Sequence, residues 1–172
     1  MTNSNNPLVS IMMNCYNGEK YLSQAVNSVL NQTYKNWEII FWDNQSTDNS
    51  AKIFKSYRDS RLKYYYASEH TNLGVSRNLV IEKSKGDFIA FLDTDDLWDK
   101  NKLELQMSYF NNPEVGVVYS NLWIIKKNTK KKKLYTNEKL PRGNIYNELI
   151  KDYKVGILTT VVRKKFYFKL KK

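Results

Sequence analysis

Between residues 88 and 96 an apolar run, Phe88-Ile89-Ala90-Phe91-Leu92, ends abruptly in Asp93-Thr94-Asp95-Asp96, so three carboxylates crowd the end of one strand-length segment. Like charges at this spacing repel, and they persist where a cation, a ligand hydroxyl or water offsets them. Oxygen-only ligands suit a hard ion such as Mg²⁺ or Mn²⁺, which in turn holds phosphate oxygens. The pattern therefore points to a metal-diphosphate site. The same residues also suit a helix start, because Asp at an N-cap and in the first turn satisfies free N–H groups and complements the helix dipole. Taken alone, the residues leave both readings open.

Which elements hold these acids follows from apolar periodicity. Residues 8–14 and 37–42 read as strands, as do 62–66 and 87–92, each short and rich in β-branched or aromatic side chains. Between them, residues 21–30 carry Leu22, Ala25, Val26, Val29 and Leu30 at helical spacing. A second helix holds Ala51, Ile53, Phe54 and Tyr57 behind a Ser46-Thr47-Asp48 cap, and a third covers 75–83. A helix over 99–110 and a strand within 115–125 continue the alternation. This βαβαβαβ order implies an α/β fold with a mostly parallel sheet and helices on both faces. After Tyr119 the alternation weakens: a hairpin around the lysine run, a short helix over 145–150 and a last strand over 157–162 are expected.

In such sheets ligands bind beyond the carboxyl ends of the strands. The first strand runs into Asn14-Cys15-Tyr16-Asn17-Gly18-Glu19 and the second into Asp43-Asn44-Gln45-Ser46-Thr47-Asp48. Tyr16 offers a flat face for a base and Asp43 an acceptor for a ring N–H or hydroxyl. Tyr16 also suits packing on a sheet edge, and Asp43 a capping turn. The third helix opens with Asn72-Leu73-Gly74-Val75-Ser76-Arg77-Asn78. There Gly74 permits close approach of a ligand, and Arg77 suits either a phosphate or a salt bridge to Asp93 or Asp95. No G-x-x-x-x-G-K-[ST] or G-x-G-x-x-G pattern occurs among the six glycines, which disfavours P-loop and dinucleotide folds.

Composition narrows the classes further. At 172 residues and 41% hydrophobic, the chain can bury one sizeable core. No apolar run approaches the ~20 residues of a membrane span, and the polar start lacks a signal peptide's apolar core, so a cytoplasmic protein is expected. One cysteine and one histidine exclude an intrachain disulfide and disfavour histidine triads and zinc cages. The net charge of +11 is concentrated in residues 126–133 and at the C-terminus. A solvated hairpin accounts for the first run as well as a lipid contact does; peripheral membrane contact is retained as an expectation and nucleic acid is not.

In unbroken order over residues 8–122, the chain resembles the family-two glycosyltransferases of GT-A fold. The matching pieces are Val9-Ser10-Ile11 through Tyr16-Asn17, Tyr21-Leu22, residues 28–33, Glu38-Ile39-Ile40, Asp43 and residues 46–50. They continue in Asn72-Leu73-Gly74, Arg77-Asn78, Gly86-Asp87, residues 91–96, Trp98 and Lys102-Leu103. The resemblance implies a Rossmann-like three-layer sandwich and inverting transfer of a sugar from a nucleoside diphosphate donor, UDP-linked, to a glycan or lipid-linked acceptor. By the same resemblance Tyr16 lines the base pocket, Asp43 contacts the base, and Asn14 and Glu19 flank it. Arg77 lies near base or diphosphate, Asp93 near ribose or metal, and Asp95 ligates Mn²⁺ or Mg²⁺, with Asp96 a weaker candidate. Three parts are implied: a disordered tail over 1–7, a nucleotide-sugar-binding core over 8–122, and the incomplete start of an acceptor-side region over 123–172. The inner membrane surface is the implied location.

The family's base is an acid in an acceptor-side segment. Of the acids after Asp99, namely Glu104, Glu114, Glu138, Glu148 and Asp152, none stands in a matching context. The alternative expectation is accordingly a nucleotide-sugar-binding module without turnover. A nucleotidyltransferase would need a Gly-rich, basic loop after the first strand, which residues 14–20 do not supply.

Overall fold

Side chains alternate across a strand, so a strand apolar in both directions belongs in a sheet covered on both faces. The computed structural model describes residues 6–126, 129 and 131–169 and shows this arrangement. In chain order the first elements are β1 (Val9–Cys15), α1 (Glu19–Leu30), β2 (Trp37–Asp43), α2 (Ser50–Ser56), β3 (Leu62–Tyr66) and α3 (Leu73–Glu82). There follow β4 (Phe88–Phe91), α4 (Lys102–Ser108), β5 (Val117–Val118), β6 (Trp123–Ile125), β7 (Lys132–Leu134), α5 (Tyr146–Lys151), β8 (Val161–Arg163) and α6 (Lys164–Lys169). The main sheet has the order β3-β2-β1-β4-β8-β5; β1 to β4 are mutually parallel and β8 runs antiparallel to β4 and β5.

On one face Val9, Ile11, Met13 and Cys15 pack under Leu22, Val26 and Val29 of α1, Phe54 of α2 and Leu103 and Met107 of α4. On the other, Met12, Ile40, Trp42, Ile89 and Phe91 pack under Val80 and Ile81 of α3. Full burial of each such side chain contributes about 1.5–3 kcal/mol before the entropy of ordering is set against it. The expected three-layer α/β sandwich is borne out. Below the strands the Ser10 hydroxyl donates to Glu38 Oε1 (2.7 Å) and accepts from Gly86 N (2.8 Å), while Lys85 N donates to the same carboxylate (2.8 Å).

Three expectations need correction. The single strand expected within 115–125 is replaced by two: β5 stays in the main sheet while β6 leaves it to pair with β7. Asn121 directs that departure, its Nδ2 donating to Thr136 O (2.6 Å) and its Oδ1 accepting from Leu122 N (2.9 Å). The last strand is shorter than 157–162, because Ile157–Thr159 forms a 3₁₀ turn held by the Thr159 hydroxyl on Gly156 O (2.7 Å). The N-cap position of α2 is Asn49, one residue past Ser46-Thr47-Asp48, and its side chain makes no cap bond, while Asp48 Oδ1 accepts from Ser50 N (2.9 Å), the first residue of the helix.

The hairpin flanking the lysine run is present as β6–β7, although Lys127, Asn128 and Lys130 lie outside the described residues, as do 1–5 of the expected tail and 170–172. Asn6 and Pro7 are tied down: Asn36 Nδ2 donates to Asn6 O (2.6 Å) and the Tyr34 hydroxyl to Pro7 O.

Candidate functional site

From β1 the chain winds outward to β2 and β3, then returns to place β4 on the other side of β1. Loops leaving the carboxyl ends of β1 and β4 therefore diverge and leave a crevice. The loop after β1 is stitched to the loop after β2. Asn17 N donates to Ser46 Oγ (3.0 Å), Gly18 N to Ser50 Oγ (2.9 Å) and Glu19 N to Asp48 Oδ2 (2.9 Å). In return Thr47 N donates to Asn17 Oδ1 (2.8 Å) and Asn49 N to Glu19 Oε2 (2.9 Å). Partial desolvation pushes the Asp48 carboxyl up, yet hydrogen bonds from Ser50 and Glu19 hold it below its ordinary value. The residues that read as a helix cap thus also latch two loops together, Asp48 holding Ser50 N with one carboxylate oxygen and Glu19 N with the other. Glu19 belongs to that latch, its carboxylate facing the start of α2.

Asp43 is fully buried, with Oδ1 accepting from Ser46 N (2.7 Å) and Oδ2 from the Tyr64 hydroxyl (2.7 Å). Its geometry is that of the capping turn. Tyr16 is 56% exposed and meets the His70 ring edge-on at 4.5 Å between centroids. His70 in turn contacts Asn44 O through Nδ1 (2.9 Å), and Asn44 holds Thr71 through both its amide nitrogen and oxygen (2.7 and 3.1 Å). Asn14 is half-buried, and its Nδ2 is enclosed without a hydrogen-bond partner.

At the β4 end Arg77 Nη2 bridges both carboxylate oxygens of Asp93 (3.1 Å each), so the salt-bridge alternative for Arg77 is realised. Asp95 is exposed. Burial, then the charges of Asp95 and Asp93, push the Asp96 carboxyl up to about 6. A Cβ at Gly18 would lie 2.7 Å from Thr94 Oγ1, so the Tyr16 loop rests directly against the acid turn. Among the described residues no three of His, Cys, Asp and Glu gather into a cation cage. Small divalent ions are commonly held by one or two carboxylates plus substrate phosphates, and an exposed Asp95 beside mutually repelling acids suits that sparser donor set.

Two cavities flank the sheet. One of about 530 Å³ opens beside Arg77 between Gly74, Val75, Phe91 and Ile157. A larger one, about 1060 Å³, lies at the amino end of β4 among Pro7, Tyr34, Phe88 and Arg163. Arg163 there spends its guanidinium on the carbonyls of Phe110 (2.9 Å) and Val115 (3.2 Å), and the cavity faces away from the strand ends that bear polar groups. Size alone therefore does not mark the site.

Sequence reasoning gave Gly18, His70 and Lys102 no part in the site. Gly18 directly follows Asn17, a non-glycine residue at φ 54°, which is a turn signal at a strand end. Lys102 sits 4.1 Å over the Trp98 ring and donates to Gln106 Oε1 (2.7 Å), and burial lowers its ammonium to about 7. Only the packing of α4 reveals that environment.

A model of glycosyl transferase family 2 matches residues 10–169. The chain belongs to that family. The chain is 38% identical over 155 residues to the Escherichia coli UDP-Glc:alpha-D-GlcNAc-diphosphoundecaprenol beta-1,3-glucosyltransferase WfgD, covering 90% of this chain and 60% of that protein. To a putative teichuronic acid biosynthesis glycosyltransferase of Bacillus subtilis, TuaG, it is 30% identical over 158 residues, covering 91% and 62%. The crystal structure of S. aureus TarS 1-349 superposes with a TM-score of 0.77 at 23% identity over 95% of this chain and 49% of that one, which bears out the GT-A fold. The chain thus spans 60% and 62% of the length of those two curated relatives. Among the described residues no helix is long and apolar enough to cross a membrane.

Proposed function

We propose that the crevice above β1 and β4 binds a UDP-linked sugar, and that the protein transfers the sugar with inversion to a hydroxyl of a glycan or lipid-linked acceptor, assisted by Mn²⁺ or Mg²⁺. The contact of Gly18 with Thr94 carries this reading, since it joins an exposed aromatic face and an acid turn in one crevice. WfgD, named for a UDP-Glc donor and a diphosphoundecaprenol-linked acceptor, and the TarS complex with UDP-GlcNAc support it. A mannosyltransferase of Pyrobaculum calidifontis in complex with GDP-Man and Mn²⁺ shares the fold.

In this reading residues 8–122 are the donor-binding core and 123–172 begin the acceptor side. Tyr16 stacks on the base, and Asn14, its Nδ2 enclosed, lies beneath the pocket. Asp43 and Glu19 act from beneath and beside the pocket by fixing the loops that shape it. Arg77, held in orientation by Asp93, turns its remaining N–H groups toward the diphosphate. A Cβ at Gly74 would meet only Asn72 Oδ1 at 3.4 Å, so the bare backbone at that position is left for a ligand to approach. A divalent cation at Asp95 would supply Lewis-acid stabilisation of the leaving diphosphate. The acceptor hydroxyl also requires a base. Glu138 and Asp152 both pair with Lys154 and are spoken for as surface ion pairs.

Thermal stability measured with UDP, GDP, CDP and dTDP, each with and without Mn²⁺, tests the donor site. Ligand at ~100 times its dissociation constant stabilises a one-site binder by roughly 2.7 kcal/mol. A metal-dependent rise with UDP that Asp95→Ala abolishes supports the proposal, and absence of a rise with any nucleotide in folded protein refutes it. Binding without transfer when acceptor is supplied would select the binding module.

A further inference from the structure

The β6–β7 ribbon stands apart from the main sheet, and its apolar side chains are not turned inward. Trp123, Ile124 and Ile125 are 57%, 47% and 50% exposed. In the antiparallel register Trp123 faces Leu134, Ile124 faces Lys133 and Ile125 faces Lys132, so both faces of the ribbon carry apolar groups and the same tip carries exposed Lys126, Lys131, Lys132 and Lys133. Between Glu114 and Glu138 there is no acidic residue. A ribbon meant to be covered by protein would bury one face and leave the other polar. Here both faces mix large apolar side chains with one sign of charge.

We propose that this ribbon docks the protein on the surface of an anionic lipid bilayer. Charge complementarity selects that occupant: the lysines meet lipid phosphates while Trp123, Ile124 and Ile125 enter the headgroup boundary, where an indole is well suited to sit. The ribbon is remote in sequence from the donor crevice, and the inference holds or fails without the transferase reading. If both hold, the contact places the crevice near a lipid-linked acceptor.

The test is co-sedimentation of the whole chain with vesicles of phosphatidylcholine alone and of equal parts phosphatidylcholine and phosphatidylglycerol. Binding is expected to the anionic vesicles only and to weaken with salt. Replacing three lysines together, Lys131→Gln, Lys132→Gln and Lys133→Gln, should lower it on the order of a hundredfold, and Trp123→Ser several-fold. Unchanged thermal midpoints and an unchanged response to UDP in both variants show that the fold and donor site are intact. Equal binding to both vesicles, binding to neither, or binding that the lysine variant retains overturns the proposal. So does self-association of the chain, or salt-sensitive RNA binding, that the variants abolish while vesicles are not bound.

Discussion

The two ends of this chain are built to different standards. In β1, β2 and β4 nearly every residue is buried, with seven register pairs joining β1 to β2 alone. In β6 no residue is buried, in β5 and β7 none is, and α5 has no buried residue at all. The later region is held instead by a few specific ties to the earlier one. Trp98 Nε1 donates to Leu158 O (3.0 Å), Gln106 Nε2 to Thr159 O (2.7 Å), and β8 inserts between β4 and β5. Apolar burial stabilises in proportion to area and tolerates small errors, whereas a handful of buried hydrogen bonds either form or leave costly orphans. The donor-side half should therefore be robust in register and the later half dependent on single side chains.

The sharpest contrast should come from truncating equivalent residues in the two regions. Ile39, fully buried in β2, should lose about 2–5 kcal/mol on Ile39→Ala, read from the midpoint and slope of urea denaturation. Ile150→Ala on exposed α5 should stay within about 0.5 kcal/mol by the same measurement. A comparable loss at both positions would abolish the distinction.

Next in size is Gly86→Ala. A Cβ there would lie 2.5 Å from Leu8 O and 2.9 Å from Ser10 N, and both obstacles are backbone. Strand β1 must shift, at a cost of roughly 1–3 kcal/mol, whereas Gly74→Ala, whose Cβ would make one ordinary contact with Asn72 Oδ1 at 3.4 Å, should leave stability nearly unchanged. If Gly74→Ala nonetheless weakens the UDP response, close approach of ligand at that backbone is supported.

Gln106→Leu probes the ties. It removes the donor to Thr159 O and the acceptor for Lys102 Nζ, and should cost roughly 1–3 kcal/mol. Limited proteolysis should then cut residues 117–163 before the parallel strands open, because the lost bond joins the two regions.

A buried cation of the first region reports through pH. Burial lowers the Lys102 ammonium from its ordinary 10.5 to about 7. Between those values the unfolded chain binds a proton that the folded chain does not, so this group makes stability rise as pH increases from about 7 toward 10.5 and contributes no slope below 7. Lys102→Met should flatten that rise, as measured by urea midpoints at several pH values across the window.

The strands of the first region were legible because apolar runs of strand length between turn residues have few other uses. β1, β2 and β3 begin and end within a residue or so of the expected bounds. Past Tyr119 the same reasoning faltered, since residues 115–125 form a plausible continuous strand that the side chain of Asn121 divides between two sheets. At the candidate site, two of the loops singled out from the sequence meet at Gly18 and Thr94, but the sequence did not show which contacts each side chain makes. Tyr16 is exposed as a binding face should be, whereas Asp43 turned inward and Glu19 joined a latch.

By itself, then, the sequence determined the order of elements, the two covered faces of the sheet, the strand ends that carry polar groups and the family. These depend on local periodicity and composition, which a single chain displays openly. Only the tertiary structure decided that Ser46, Thr47 and Asp48 lace two loops together, that Gly18 is pressed against Thr94, that Arg77 is committed to Asp93, and that Lys102 is driven toward neutrality. Each is a contact or a desolvation between segments far apart in the chain, and the same polar side chain can satisfy a local turn or a distant partner equally well until packing brings one of them within reach.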